Sequence, residues 1–474
     1  MAIVNDIYMQ RLLKTVYLSG VTNSKYQASP VLSAMKKESW GGGKELAYAA
    51  QYGNGGNFAS DFSAGVNGGF NAGARNIEWK AEQAHDSGWF TIDQPEILTS
   101  DSDKGAYMSI LANKVSACFD GMSKRLAAYL YGGKFGTVYK LAHQTASTGD
   151  TVTSPMTIKM DSSAVLKLDI GSRFVIATGA ADNAALPSSA LLGSNATPVI
   201  FTVTGLSDTD VTVTASTTGG TIFNGDYVQF YGSRDASGNA LGFEGLFDIV
   251  PSIDNRSGAN WTTYIGTNFR GVNRTEATDR LAGQFADKAN HSASATPIAD
   301  TLVELLKKTK RAGGLNNLIV VNDEDWDAIG AELGIQSNLW QAANQGGNKN
   351  RATAGISEFA TAFGDAFIDR TVIDPYALQG TAYSYEKEDL AFYDLGNVSK
   401  VITPVGNDQL GKYDVDIGTQ GIDDAVTSKL NMDKLFSIEN GAAVGPTGPQ
   451  FRISAHLFGN FVLRKTASAG VAAI

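Results

Sequence analysis

The sequence contains a single cysteine, Cys118, in 474 residues. One thiol can neither close an internal disulfide nor supply a cysteine-rich zinc site. Cys118 falls on the apolar face of a helical stretch and reads as a small buried hydrophobe. Histidine is scarce too: His85, His143, His291 and His456 stand far apart, with no H-x-H or H-E-x-x-H spacing. No metal site and no cofactor is expected. Charged residues make up only 18%, and the formal net charge is -10. This excludes a protein that wraps nucleic acid through a broad basic surface. It leaves open a container whose acidic wall avoids sticking to nucleic acid. No stretch approaches the ~20 apolar residues of a membrane span. The opening MAIVNDIYMQRLLKTVYLSG lacks the basic start and continuous apolar core of a signal peptide. No membrane partner is expected, and the chain reads as one made and used, or assembled, in a cytoplasm. There is no G-x-S-x-G elbow and no G-x-x-x-x-G-K-[ST] loop. Gly41–Lys44 and Gly53–Gly56 resemble phosphate cradles by composition alone. No catalytic constellation emerges, and no enzyme is expected.

What is present is organised around SDKGAYMSILANKVSACFDGMSKRLAAYL, residues 102–130. Tyr107, Leu111, Val115, Cys118, Phe119, Met122, Leu126, Tyr129 and Leu130 recur at helical spacing. Asn113, Lys114, Ser116, Asp120, Ser123 and Lys124 fall on the opposite face. Thr99 to Ser102 offer N-caps, and Gly132-Gly133 is a stop signal. The spacing predicts one amphipathic helix of roughly 40 Å, a beam on which sheets pack.

Residues 1–37 read as an N-terminal arm with one or two short helices. Residues 38–99 read as a long hairpin with limbs Lys44–Gln51 and Ala74–Asp93. Between the limbs runs YGNGGNFASDFSAGVNGGFNAG, rich in glycine and interrupted by aromatics. Such a segment cannot bury its own core, so its aromatics imply a partner surface. Residues 100–135 hold the long helix. Residues 136–245 change to short strands and turns, expected at Thr157–Met160, Phe174–Ala177, Val199–Thr204, Val211–Ala215 and Tyr227–Tyr231. They suggest a small β-barrel or sandwich. Two stretches there echo each other: Gly171-Ser-Arg-Phe-Val-Ile and Gly225-Asp-Tyr-Val-Gln-Phe. Residues 246–295 are mixed. Residues 296–405 form an α/β block, opened by a helix with Thr296 as N-cap and Pro297 at its first position. A strand over Leu318–Val321 and a helix capped near Asn322 or Asp323 follow. Residues 406–474 end in strands that return to the sheet beside the long helix. The fold class is α+β.

Two acidic clusters invite a chemical reading. Asp323-Glu324-Asp325-Trp326-Asp327 starts a helix, where carboxylates satisfy exposed N–H groups and the helix dipole. Asp414-Val415-Asp416-Ile417-Gly418 lacks the third acidic position and terminal glutamate of a calcium loop, and reads as a solvated strand face.

The order of parts resembles the major capsid protein of tailed bacteriophages, the Hong Kong 97-type fold. SPVLSAMKKESWGGGKELAYAA is similar to the lead-in to the extended loop, and AAYLYGGKFG to the end of the spine helix. GDYVQFYGSRDASGNALGFEGLFDIV with YIGTNFRGVNRTEATDRLAG resembles the junction after a β insertion. GLNNLIVVNDEDWDAI resembles the first strand–helix pair of the axial domain. The resemblance implies an extended-loop hairpin, a spine helix in a peripheral domain, an inserted small β-barrel or sandwich, and an axial domain. It implies a non-enzymatic subunit that builds an icosahedral head around double-stranded DNA, held without sequence-specific binding. Partners would be copies of the chain as pentamers and hexamers, with scaffolding, portal and decoration or minor capsid proteins. The location would be the virion, assembled in the host cytoplasm. Too few residues precede residue 40 for the helical scaffolding segment that some relatives carry, which points to a separate scaffold. Tyr52, Phe58, Phe62, Phe70 and Trp79 are the expected inter-subunit contacts. Two other readings compete: a bacterial nanocompartment shell, which shares the fold, and a β-rich polysaccharide-binding or -degrading protein.

Overall fold

The computed structural model describes residues 29–40, 43–53, 60–61, 63, 75–93, 110–142, 144, 149–179, 187–251, 269–287, 298–314, 317–332, 370–394, 436–445 and 448–474. The expectations for residues 1–28, for the start of the long helix at 102–109, for the capping pair at 296–297 and for 414–418 lie outside them.

The long helix spans Ile110–Gly132, roughly 35 Å. Its stop signal works as read. Gly133 has φ +67°, and its N–H donates to the Tyr129 carbonyl at 2.9 Å. A Cβ there would stand 2.5 Å from Asp248 Oδ2. Left-handed backbone and close approach together demand glycine. The expected polar face differs from the structure. Over its last three turns the helix is covered nearly all round, and Ser123 and Lys124 are buried. The reason is that sheets flank it on more than one side, and they bring countercharges. Lys124 Nζ donates to Asp169 at 3.0 Å, and Arg125 grips Asp86 with two bonds of 2.7 and 3.0 Å.

On one side lies a five-stranded sheet. Lys36–Ser39 runs parallel to Leu390–Asp394, which pairs with the 16-residue strand Gly448–Leu463. The rest of that strand is flanked by Phe436–Gly445 and Ala84–Asp93. Gly448–Leu463 and Ala84–Asp93 both touch the long helix, so the tail does return beside it. The hairpin is shorter than its sequence suggests. Its limbs are Glu45–Gly53 and Arg75–Glu82. Past the exposed Gln83 the second limb leaves the ribbon, and Ala84–Asp93 joins this sheet instead. Lys36–Ser39, read as part of a helical arm, is likewise a strand, because an edge of Leu390–Asp394 is open to it.

Beyond the helix, a seven-stranded antiparallel sheet has the order Thr137–Lys140, Tyr227–Phe230, Arg173–Gly179, Phe201–Leu206, Asp210–Ala215, Met156–Lys159, with Pro187–Leu191 also on Arg173–Gly179. The order is open: no pairing among the described residues joins its ends. The two echoing stretches pair with each other, Phe230 opposite Phe174 and Tyr227 opposite Ala177. Each is entered through a left-handed glycine, Gly171 at φ +88° and Gly225 at φ +92°.

The third sheet has the order Gln284–Asp287, Gly470–Ala473, Thr381–Glu386, Asn317–Val321, Arg370–Ile373. Helices Ile298–Arg311 and Asp323–Glu332 cover it through Leu302, Leu305, Leu306 and Ile329. The last strand, Gly470–Ala473, thus belongs to the α/β sheet and not to the sheet beside the long helix. Its run of small residues lets Leu305 and Thr309 pack directly on Gly470. One contiguous apolar cluster links Phe174 and Val213 of the seven-stranded sheet, Tyr129 and Leu130 of the long helix, and Phe392 and Phe461 of the five-stranded sheet.

Candidate functional site

The feature least explained by the chain's own core is the ribbon Glu45–Gly53/Arg75–Glu82. Strand alternation gives it two faces. Leu46, Tyr48, Ala50, Tyr52, Ile77, Trp79 and Ala81 face inward. Glu45, Ala47, Ala49, Gln51, Asn76, Glu78, Lys80 and Glu82 are exposed. A two-stranded ribbon is marginal by itself, and here the segment 269–280 holds it. Trp79 stacks on its cross-strand partner Tyr48 at 6.3 Å and meets Phe269 edge-on at 6.0 Å. The Lys80 N–H donates to the Arg270 carbonyl at 3.0 Å.

Arg270 is the hub. Its backbone is left-handed, φ +52°, and its side chain is buried. The guanidinium donates to Glu244 Oε2 at 2.7 Å, to the Tyr48 hydroxyl at 3.0 Å and to the Phe461 carbonyl at 2.6 Å. A fork with five donors suits three acceptors in three directions. Burial alone would disfavour its charge; the phenol and carboxylate beside it outweigh that and hold its pKa above the usual value. Arg274 lies over the Phe269 ring at 4.1 Å and donates to the carbonyls of Asp248 and Ile249. Tyr52 is half-buried; its hydroxyl donates to Glu276 at 3.0 Å, and its carbonyl accepts from Arg280.

Trp79 must therefore be removed from the expected inter-subunit contacts. It is 1% exposed and fully engaged by its own chain, so it offers nothing to a neighbour. Phe58, Phe62 and Phe70 lie outside the described residues, and Tyr52 keeps a partly open ring. Nothing in the periodicity flagged Arg270, because a single arginine between Phe269 and Gly271 carries no pattern; its partners come from residues 48, 244 and 461.

A second cluster lies between the seven-stranded sheet and the α/β block, around a cavity of about 540 Å³. Asp325 accepts from the Gly380 N–H with both oxygens, at 3.1 and 2.9 Å. Burial pushes its carboxyl up to about 7; the Gly380 bond opposes this, while Glu324, Asp323 and Asp161 add to it. Lys167 is buried, and its ammonium donates to the Val138 carbonyl at 3.2 Å. Burial lowers its pKa to about 8 against the pull of Asp374, Asp323 and Asp161. Ser162 donates to Glu324 at 2.7 Å. The acidic cluster does start a helix, and of the two expected caps it is Asn322 that serves, its Oδ1 accepting from the Glu324 N–H at 3.0 Å. Asp325 is spent on Gly380 instead. These groups are tied to backbone and to each other, which suits a joint between two layers.

Among the described residues no cluster of histidine, cysteine or carboxylates has metal-binding geometry. No helix among them is long and apolar enough to cross a membrane. His85 stacks on Phe458 at 6.1 Å. Cys118 is half-buried, and a Cβ at Gly88 would come within 2.6 Å of its sulfur; burial raises its thiol pKa.

No protein-family model and no curated protein matches the sequence. Solved structures do. A chain of the cyanophage A-1(L) capsid asymmetric unit is similar with a TM-score of 0.51 at 12% identity, covering 99% of each chain. A chain of the native GTA particle capsid is similar with a TM-score of 0.42 at 7% identity, over 98% of this chain and 95% of that one. The holo-SrpI encapsulin of Synechococcus elongatus has a TM-score of 0.40 at 7% identity, over 100% of this chain and 96% of that one. The chain has the fold of a phage capsid protein.

Proposed function

We propose that this chain is the structural subunit of a tailed-phage head, assembling with copies of itself into an icosahedral shell around double-stranded DNA. The observation that carries the reading is the end-to-end fold similarity to the cyanophage capsid chain, over 99% of both chains. The surface supports it. A shell subunit works by presenting faces to its copies, and the ribbon presents a whole exposed face on a rigidly held base. The net charge of -10 suits a wall that encloses DNA without gripping it. In this reading the ribbon is the root of the extended loop, Ile110–Gly132 is the spine, the sheet within 136–245 is an insertion, and the block within 296–405 is the axial domain. Phe58, Phe62 and Phe70 at the loop contact a neighbouring subunit. Pentamers and hexamers are the assembly units, and scaffolding, portal and decoration proteins complete the particle.

The test is to express the chain alone and with a scaffolding protein from its own source, then examine the product by sedimentation and negative-stain electron microscopy. Shells, tubes or five- and six-membered rings are expected. A monomer under both conditions overturns the reading.

A further inference from the structure

Beneath the ribbon runs a groove of about 930 Å³, walled by residues 49–53, the end of helix Ile298–Arg311 and the loop 464–468. Among the described residues five cationic side chains line it, Arg280, Lys308, Arg311, Arg464 and Lys465, against one carboxylate, Asp279. In a chain of net charge -10 this is a local reversal of sign. Three of the five are compensated: Lys308 by Glu304 at 2.9 Å, Arg464 by Glu38 at 2.7 Å and Lys465 by Glu386 at 2.9 Å. Among the described residues the other two are not. Arg280 is exposed and donates to the Tyr52 carbonyl, a neutral acceptor. Arg311 is exposed and meets no carboxylate among the described residues. Guanidinium groups are built to take carboxylates two bonds at a time.

The complementary surface lies on the ribbon's outer face. Among the described residues of that face Glu45, Glu78 and Glu82 are exposed, with Lys80 as the cation between them. Glu45 stands directly opposite Glu82 in the register. Like charges facing each other across two strands destabilise the pair, and this ribbon has little stability to spare. Ala47 and Ala49 keep the middle of the face low, so a partner can approach the carboxylates.

We infer that the groove receives the outer ribbon face of a second copy of this chain, with the ribbon carboxylates on Arg280 and Arg311. The contact joins two patches that share only the edge residues Ala49 and Gln51, so its repetition runs head to tail and closes into a ring when the rotation allows. The inference rests on the shell-subunit reading and names the surfaces that meet.

Three full-length variants test it, under whichever condition the wild type assembles. One reverses the groove, Arg280→Glu with Arg311→Glu. One reverses the ribbon, Glu45→Lys with Glu78→Lys and Glu82→Lys. The third carries both sets. Arg311→Glu alone is the control that keeps the Arg280–Tyr52 bond. Each single set should lower the assembled fraction about tenfold or more, and the combined variant should restore it, because opposite charges meet again. Thermal unfolding of the unassembled subunit should stay near wild type. Assembly of Arg311→Glu at the wild-type level overturns the inference while leaving the shell reading intact. Failure of the combined variant to recover also overturns it. A wild type that never assembles overturns both.

Discussion

Two side chains carry opposite lessons at the scale of single residues. Trp79 looks in sequence like an aromatic awaiting a partner; in the fold it already has Tyr48 and Phe269. Replacing it by alanine should cost the isolated subunit about 3–5 kcal/mol, read by urea denaturation. An anchor for a neighbour would leave the isolated subunit unchanged. Asp325 titrates in a window set by burial. Its carboxyl is raised to about 7, well above an exposed aspartate, so between roughly pH 4 and pH 7 the folded state binds a proton that the unfolded state has released. Stability from this group is therefore lost as pH rises through that window, and the full penalty stands above pH 7. Asp325→Asn keeps an acceptor for Gly380 and removes the charge facing Asp161, Asp323 and Glu324. Its unfolding free energy should exceed that of wild type at pH 8, by on the order of 2 kcal/mol, and match it near pH 4. Equal melting curves at pH 8 would show that the site is not under electrostatic strain.

Elements reveal how a marginal ribbon is made firm. Its two strands are pinned by one buried guanidinium that reaches Glu244, Tyr48 and the backbone at Phe461. Arg270→Ala leaves the Glu244 carboxylate in a half-dry site with Asn460 as a neutral donor and no cation among the described residues, and should cost about 3–5 kcal/mol. The loss should be local. Limited proteolysis should cut within the ribbon at a much lower protease dose than in wild type, before the sheets are attacked. The long helix makes a related point. Its apolar period is plain in sequence, yet its last three turns carry Lys124 and Arg125 into contacts with Asp169 and Asp86. Charge at a helix position marks a solvent face only when no layer arrives with a countercharge.

For the molecule as a whole, burial is uneven. The three sheets close around the long helix and one shared core, while the ribbon face and the basic groove remain open. If those two surfaces meet, assembly is driven partly by exposed charges, which salt screens over about 8–10 Å. Raising ionic strength from about 0.05 M to about 0.5 M should then slow assembly, followed by light scattering, more in the wild type than in Arg311→Glu. An equal salt response in both proteins would place the driving force in apolar contact alone.

The sequence by itself determined whatever depends on neighbours a few residues apart. The period of the long helix, the Gly132-Gly133 stop, the strand alternation from Val211 to Ala215 and the start of the helix at Asp323 are all local. Backbone geometry makes such patterns visible in a short window. The order of these parts also sufficed for the capsid resemblance, and the fold agrees with it. Only the tertiary structure decided the rest. Lys36–Ser39 became a strand because Leu390–Asp394, some 350 residues on, offered it an edge. Gly470–Ala473 entered the α/β sheet because residues 284–287 and 381–384 left a slot for it. Trp79, Arg270 and Asp325 took their roles from residues far along the chain. Pairing at that range is set by complementary shape and charge, and neither partner's own stretch of sequence records which surface it will meet.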